Sequence, residues 1–198
     1  ARYQNARLAR RYRDRVASAC EADPDFGAAV ARGYHKLLAY KDEYEVARLH
    51  AETLEAAVAA RFEGVREMRF HLAPPIMGKK DAAGRPVKSE FGPWMLGAMK
   101  LLARLKVLRG TPLDPFGRTA ERRLERDLIA RYEADMDLVQ REMTQATRDI
   151  ALELALQPLE IRGFGHVKDA AAAAASVRRT DLLAAFAAGG WPRAHAAE

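Results

Sequence analysis

The residues with the clearest capacity to bind a ligand lie in a short glycine-bearing segment, residues 161–168 (IRGFGHVK). Gly163 and Gly165 can form a turn that presents backbone N–H groups at the start of the following helix, and such groups bind anions. Three neighbouring residues carry or can carry positive charge: Arg162, His166 and Lys168. The segment is therefore a candidate site for a phosphate-bearing ligand. The same glycines are more typical of a helix-entry turn that only needs positive φ, and the anion site is the alternative interpretation.

A second group of candidate residues lies around a proline-rich loop, residues 110–118. Arg109 and Asp114 bracket the start of this loop, and each could form a partly buried ion pair that fixes its geometry. Arg109 is also a candidate ligand contact. The residues that we assign to structural loops or an interface are Lys41, Glu43, His71, Pro74, Pro75, Trp94, Asp114 and Phe116.

Several kinds of site are excluded or disfavoured by the sequence. The chain has none of the common nucleotide-binding, zinc-protease or serine-hydrolase motifs. Its five histidines include no pair at i, i+3 or i, i+4, so a helical metal pair is excluded. The single cysteine, Cys20, cannot form a disulfide within the chain or hold a four-thiolate cluster. We assign no catalytic residue and no metal site.

The chain of 198 residues is basic, with a formal net charge of +6. The excess is concentrated in the first helix, where six arginines stand against one acid, Asp14: Arg2, Arg7, Arg10, Arg11, Arg13 and Arg15. This face is either solvated or docks on an acidic partner or a neighbouring domain. Elsewhere arginine alternates with glutamate and aspartate, which disfavours a nucleic-acid surface. No apolar run approaches the ~20 residues of a membrane span, and we predict a cytoplasmic location.

Apolar periodicity predicts the elements that position these residues. The fold class is mainly α, with six to seven helices, a small antiparallel β-hairpin and long ordered Pro/Gly-rich loops. We expect one domain over residues 1–188, with the hairpin and loop region at 66–93 and 110–118, an exposed mobile hairpin tip at 79–85, and a flexible tail at 189–198. The predicted core includes Tyr12, Val16, Leu37, Leu54, Phe70, Trp94, Leu101, Leu105, Phe116, Leu124, Leu128, Tyr132 and Phe186.

Five sequence blocks resemble, in the same order and with similar gaps, the C-terminal region of fused indolepyruvate ferredoxin oxidoreductases. They read AYKDEYEVARLH (39–50), RFHLAPP (69–75), EFGPWM (90–95), LRGTPLDPFGRTAERRLER (108–126) and IRGFGHVK (161–168). These enzymes belong to the 2-oxoacid:ferredoxin oxidoreductases, and the similarity spans about residues 1–188. This sequence departs from that family mostly in the connecting helices, the hairpin tip and the tail.

The resemblance implies a function for the longer enzyme rather than for this segment. Such enzymes oxidatively decarboxylate arylpyruvates to acyl-CoA with thiamine diphosphate, 4Fe-4S clusters and ferredoxin or a similar acceptor. Their cofactors are expected in other domains. We therefore expect a non-catalytic accessory domain that packs against those domains or a homo-oligomer mate. The alternative is a module for coenzyme A or another phosphate ligand, with these residues: Arg109, Arg162, Gly163, Gly165, His166 and Lys168.

Overall fold

The structure is a computed structural model that describes residues 3–40, 42–73, 79–80, 86–163 and 165–191, except for the side chains of Lys79, Lys80, Pro86 and His166. The described part is mainly α-helical, as the sequence predicts. Its helices are α1 (Ala6–Ala22), α2 (Pro24–Leu38), α3 (Glu43–Ala59), α4 (Trp94–Arg104), α5 (Ala120–Glu142), α6 (Arg148–Leu156) and α7 (His166–Ala187). Short 3₁₀ helices follow α4 (Leu105–Leu108) and α6 (Gln157–Glu160). The strands are β1 (Phe70–Leu72), β2 (Lys79–Lys80), β3 (Pro86–Val87) and β4 (Ser89–Phe91).

The chain divides into two compact units. The first contains α1, α2, α5, α6 and α7, and the second contains Tyr3, Gln4, α3, the four strands and α4. The first unit is assembled from segments on both sides of the second in sequence. Periodicity along the chain cannot reveal such a division, and the single domain predicted for residues 1–188 stays a prediction.

The core of the first unit forms around α2, which is buried along most of its length. Asp23 begins this helix, because its side chain accepts a hydrogen bond from the Phe26 N–H at 2.8 Å and Pro24 follows at the first helical position. Gly33 lets α6 pack against α2, since a Cβ atom at this position would overlap the carbonyl oxygen of Ala155. The glycine thus has a packing role that its position in the sequence does not reveal.

A tyrosine cluster joins α1, α2 and α5 within the first unit. The ring of Tyr34 stacks on Tyr12 and on Tyr132, with centroid separations of 6.1 and 5.8 Å. The Tyr34 hydroxyl donates to the Glu133 carboxylate, which also accepts from Arg11. Burial and this carboxylate raise the pKa of Tyr34, and burial raises the pKa of Tyr132. Both phenols are therefore held in their neutral form.

The second unit contains the predicted antiparallel hairpin. β1 pairs with β4 in the register Phe70 with Phe91, His71 with Glu90 and Leu72 with Ser89. β2 pairs with β3 beyond it. The period-two pattern of the sequence identifies this pairing correctly, although β1 begins at Phe70 rather than at residue 66. Residues 81–85 of the predicted tip, like residues 192–198 of the predicted tail, lie outside the described residues.

The predicted core is confirmed except on α4 and at the first residue after it. Trp94, Leu101 and Leu105 are 60%, 59% and 38% exposed, so assigning them to the core was wrong. The opposite face of the helix is buried instead, through Met95 and Met99 among others. Both faces of α4 are apolar, and periodicity alone cannot decide which of two apolar faces meets the core. The other ten predicted core residues are buried or half-buried.

Candidate functional site

The glycine-bearing segment forms the predicted turn before α7. Gly163 and Gly165 have φ values of +94° and +54°, which only glycine adopts readily. A Cβ atom at Gly163 would also lie 2.6 Å from the Val167 Cγ1 atom. Among the described residues, no side chain caps the start of α7. The turn is therefore explained by backbone geometry and close packing.

The cationic residues of this segment are only partly free to meet an anion. The Lys168 ammonium is half-buried and pairs with the Glu125 carboxylate. Arg162 is exposed, and its Nε donates to the Leu159 carbonyl oxygen at 3.0 Å. The side chain of His166 is not described, and Arg109 belongs to the other compact unit. A coenzyme A or phosphate site at these residues stays a prediction, and calorimetry with coenzyme A tests it.

Glu125 is the centre of a buried charged cluster that the sequence analysis missed. Glu125 and Arg122 are only 3% and 5% exposed, and Arg122 Nη1 lies 3.8 Å from Glu125 Oε1. The Arg122 guanidinium also lies over the ring of Tyr40, 5.1 Å from its centroid. With Lys168, this cluster ties the start of α5 to the start of α7. The only sequence signal is the dense run of charges at residues 118–126.

Arg109 forms the predicted buried ion pair, with Asp42 as its partner. The guanidinium contacts both carboxylate oxygens, at 2.5 Å (Nε–Oδ2) and 2.8 Å (Nη2–Oδ1). It also donates to the Tyr3 carbonyl oxygen at 3.1 Å and lies 4.2 Å from the centroid of the Tyr3 ring. Asp42 in addition caps α3 by accepting from the Glu45 N–H at 2.8 Å. The pair thus fixes the start of α3 and the residues that precede α1.

Asp114 fixes the proline-rich loop through hydrogen bonds rather than through the predicted ion pair. Its carboxylate accepts from the Tyr44 hydroxyl at 3.0 Å, the Gly110 N–H at 2.9 Å and the Phe116 N–H at 3.1 Å. The nearby guanidinium of Arg109 is already engaged by Asp42. Burial and the Asp114 carboxylate raise the pKa of Tyr44. This network accounts for the geometry of the loop without a ligand.

The remaining predicted interface residues differ in exposure. Trp94 and His71 are exposed, Glu43 is half-buried and Phe116 is buried against the Tyr44 ring at a centroid distance of 5.3 Å. Lys41, Pro74 and Pro75 lie outside the described residues.

The basic face of α1 is largely neutralised within the first unit. Arg11 pairs with Glu133 and Arg15 with Asp137, each with a nitrogen–oxygen distance of 2.5 Å. Arg13 pairs with its neighbour Asp14 at 2.7 Å. Two further arginines of this helix, Arg7 and Arg10, are exposed. The face therefore presents much less unpaired charge than its sequence indicates.

An exposed apolar surface lies on α4 of the second unit. Trp94, Ala98 and Leu101 share one side of α4, Leu105 follows directly after its last residue, and all four are exposed. We call this surface the α4 stripe. The Trp94 ring packs edge-on against Phe91 at a centroid distance of 5.9 Å, which fixes its orientation. The α4 stripe is consequently a candidate docking surface.

The described residues contain no group of His, Cys, Asp and Glu side chains arranged to hold a metal ion. None of their helices has both the length and the hydropathy needed to cross a membrane.

Residues 1–181 match a family described as a family of unknown function (DUF6537), and the chain belongs to that family. Comparison with curated proteins and with solved structures gives no match.

Proposed function

We propose that this chain is a docking domain without catalytic chemistry of its own, and that it packs against another domain of a longer 2-oxoacid:ferredoxin oxidoreductase of the indolepyruvate type. The resemblance of the five sequence blocks supports the enzyme class. In this proposal the longer cytoplasmic enzyme decarboxylates arylpyruvates to acyl-CoA, and its thiamine diphosphate and 4Fe-4S clusters are held by other domains. The observation that carries the docking role is the α4 stripe.

The α4 stripe supports docking because it makes α4 apolar on opposite sides. Met95 and Met99 contribute to the core of the second unit, while Trp94 and Leu101 are about three-fifths exposed. Exposed apolar patches of this kind mark interaction surfaces. Full burial of a large apolar side chain is worth about 1.5–3 kcal/mol. Completing the burial of Trp94 and Leu101 would therefore contribute about 1–2 kcal/mol each.

The polar candidates of the second unit support the same proposal. Arg109, Asp42 and Asp114 are at most 6% exposed, and each makes contacts that hold a loop or a helix start. Side chains engaged in this way shape the unit on which the α4 stripe is displayed. Tryptophan is also among the residues that dominate binding energy at protein interfaces. We therefore assign recognition to Trp94 and its apolar neighbours rather than to the buried charges.

The experiment uses the longer polypeptide with the double substitution Trp94→Ser/Leu101→Ser. We expect reduced assembly and thermal stability of the whole enzyme, with little effect on the stability of the separate 198-residue chain. Val177→Ser is the matched control, because Val177 is 66% exposed but lies on α7 of the first unit. Unchanged assembly, stability and turnover after the double substitution, or after deletion of the whole domain, would refute the proposal.

A second measurement tests whether the partner of the α4 stripe is another copy of this chain. Analytical ultracentrifugation of the separate chain measures self-association. A dimer that Trp94→Ser dissociates would assign the α4 stripe to a second copy, and so would contradict docking on another domain of the same polypeptide.

A further inference from the structure

The proline-rich loop of the second unit presents a leucine to solvent. Leu113 is 75% exposed, the largest fraction among the large apolar side chains of the described residues. Pro112 and Pro115 are exposed as well, whereas Asp114 and Phe116 are buried. The loop therefore holds its leucine outward while it turns a carboxylate and a phenyl ring inward. A single exposed leucine is common in proteins, and the features of the loop around it are what distinguish this one.

Hydrogen bonds within the loop fix the position of Leu113. The Asp114 carboxylate accepts from the N–H groups of Gly110 and Phe116, one on each side of the leucine. The Asp114 N–H donates to the Thr111 carbonyl oxygen at 3.0 Å, and the Leu113 N–H donates to the Thr111 hydroxyl at 3.3 Å. The two prolines restrict the backbone further, because their rings fix φ. A group that is held in place before binding loses little conformational entropy when it binds.

The backbone N–H groups of residues 110–117 have no need of a partner's acceptors. Two of these eight residues are prolines, which have no N–H. The other six donate to acceptors on Leu108, Thr111 and Asp114. Burying a polar group without a hydrogen bond is costly. An apolar partner can therefore cover this part of the loop without leaving a backbone donor unsatisfied.

The exposed surface of residues 107–117 has no charge. This segment contains two charged residues, Arg109 and Asp114, and each is only 6% exposed. Arg109 pairs with Asp42, and Asp114 accepts from the Tyr44 hydroxyl, so both charges are engaged inside the second unit. Charged residues are depleted at the centre of protein interfaces. The segment thus suits an uncharged apolar partner and not an ionic one.

Exposed apolar residues continue along the chain from the α4 stripe to this loop. Leu105 is the last residue of the stripe, Val107 is 71% exposed, and Leu113 follows in the same compact unit. This continuity favours the partner that the α4 stripe meets. We propose that Leu113 is an apolar anchor that inserts into an uncharged pocket of that partner, another domain of the longer polypeptide. The inference rests on the proposed docking function and adds to it a contact residue and the chemistry of the surface that this residue meets.

The test measures how fast a cysteine at each position reacts with N-ethylmaleimide in the longer polypeptide and in the separate 198-residue chain. Mass spectrometry of the labelled peptides reports each position separately from the exposed Cys20. Leu113→Cys should react at least tenfold more slowly in the longer polypeptide, because the partner covers this position. Val177→Cys is the matched control, since Val177 is 66% exposed on the first unit, and its rate should change less than twofold.

Trp94→Cys separates failure of this inference from failure of the docking function. Slower labelling of Trp94→Cys in the longer polypeptide, without slower labelling of Leu113→Cys, would overturn the anchor alone. Unchanged labelling at both positions would overturn both proposals. If circular dichroism shows that Trp94→Cys does not fold, Leu101→Cys replaces it. A dimer of the separate chain that Leu113→Ser dissociates would assign the leucine to a second copy and likewise overturn the inference.

Discussion

The buried ion pair between Asp42 and Arg109 offers the sharpest test of how the second unit is held together. Their side chains are 2% and 4% exposed, so both charges are almost fully removed from water. Removing one partner from such a pair costs about 3–5 kcal/mol, because the other charge stays buried without compensation. Asp42→Asn isolates this effect, since asparagine caps a helix as well as aspartate does. The cap on α3 is retained while Arg109 loses its counter-charge.

The complementary substitution is Arg109→Met, which keeps most of the side-chain volume and leaves the Asp42 carboxylate without its cation. We expect each single substitution to lower the free energy of unfolding of the second unit by about 3 kcal/mol or more. The double substitution removes both charges and should cost much less than the sum of the two. The resulting coupling energy should be at least about 2 kcal/mol.

The assay must report on the second unit alone, because two compact units need not unfold together. Trp94 lies in the second unit, and the other tryptophan, Trp191, lies in the first. In a Trp191→Phe background, urea unfolding followed by tryptophan fluorescence therefore measures the second unit. Hydrogen exchange of the α3 amides gives an independent value.

The control is an exposed ion pair of the same unit. Lys100 and Glu55 lie 2.7 Å apart, and their side chains are 45% and 57% exposed. Lys100→Met should cost less than about 1 kcal/mol, as exposed pairs generally do. If Asp42→Asn cost no more than this control, or if the double substitution cost the sum of the singles, the buried pair would not have the role assigned to it.

Three further predictions concern the first unit and its pH dependence, with one control in α4. Gly33→Ala should destabilise the chain by about 1–3 kcal/mol through overpacking. By contrast, Gly97→Ala in α4, where a Cβ atom meets open space, should stabilise the chain by about 0.5–1 kcal/mol. Urea unfolding measures both changes, and equal effects would contradict the close packing at Gly33. Burial raises the pKa of Tyr34, so the native state keeps the phenol proton to higher pH than the unfolded state does, and stability should fall as pH rises above about 10. Tyr34→Phe should make this alkaline decline in Tm shallower. An unaltered decline would contradict the contribution assigned to Tyr34. Arg148 lowers the pKa of Asp23, so stability should begin to fall as pH drops below about 4 and should continue to fall until Asp23 is protonated in the native state. Asp23→Asn keeps the helix cap and should reduce this acid sensitivity. The measurement is Tm as a function of pH between neutral and acid conditions.

Local signals allowed much of the fold to be predicted. Asp23 followed by Pro24 begins α2, and Asp42 caps α3, because capping depends only on residues within one turn. The spacing of apolar residues along α5 likewise identified the longest helix of the described part. The hairpin followed from a period of two on both sides of a turn. Each of these signals depends on neighbours in the sequence.

Ion-pair partners that lie far away along the chain could not be predicted from the sequence. Asp42 is 67 positions from Arg109, and Glu125 is 43 positions from Lys168. Nothing in local spacing connects either pair, so an ion pair could be predicted for Arg109 without its partner, and the pairing of Lys168 with Glu125 could not be predicted. The prediction of which face of α4 is buried was wrong for a related reason, because the choice between two apolar faces depends on the packing of α3 and β1.

Salt dependence separates the two surfaces that remain as candidates for docking, the α4 stripe and the exposed arginines of α1. Between about 0.1 M and 1 M salt the Debye length falls from about 10 Å to 3 Å, which screens contacts between exposed charges but leaves apolar contacts intact. Only Arg7 and Arg10 stay exposed on α1 outside the pairs formed by Arg11, Arg13 and Arg15. When the chain is added in trans to the remainder of the proposed enzyme, its Kd should therefore change less than about threefold over this range. A weakening of tenfold or more would assign docking to the basic helix, and the exposed face of α4 would then need another explanation.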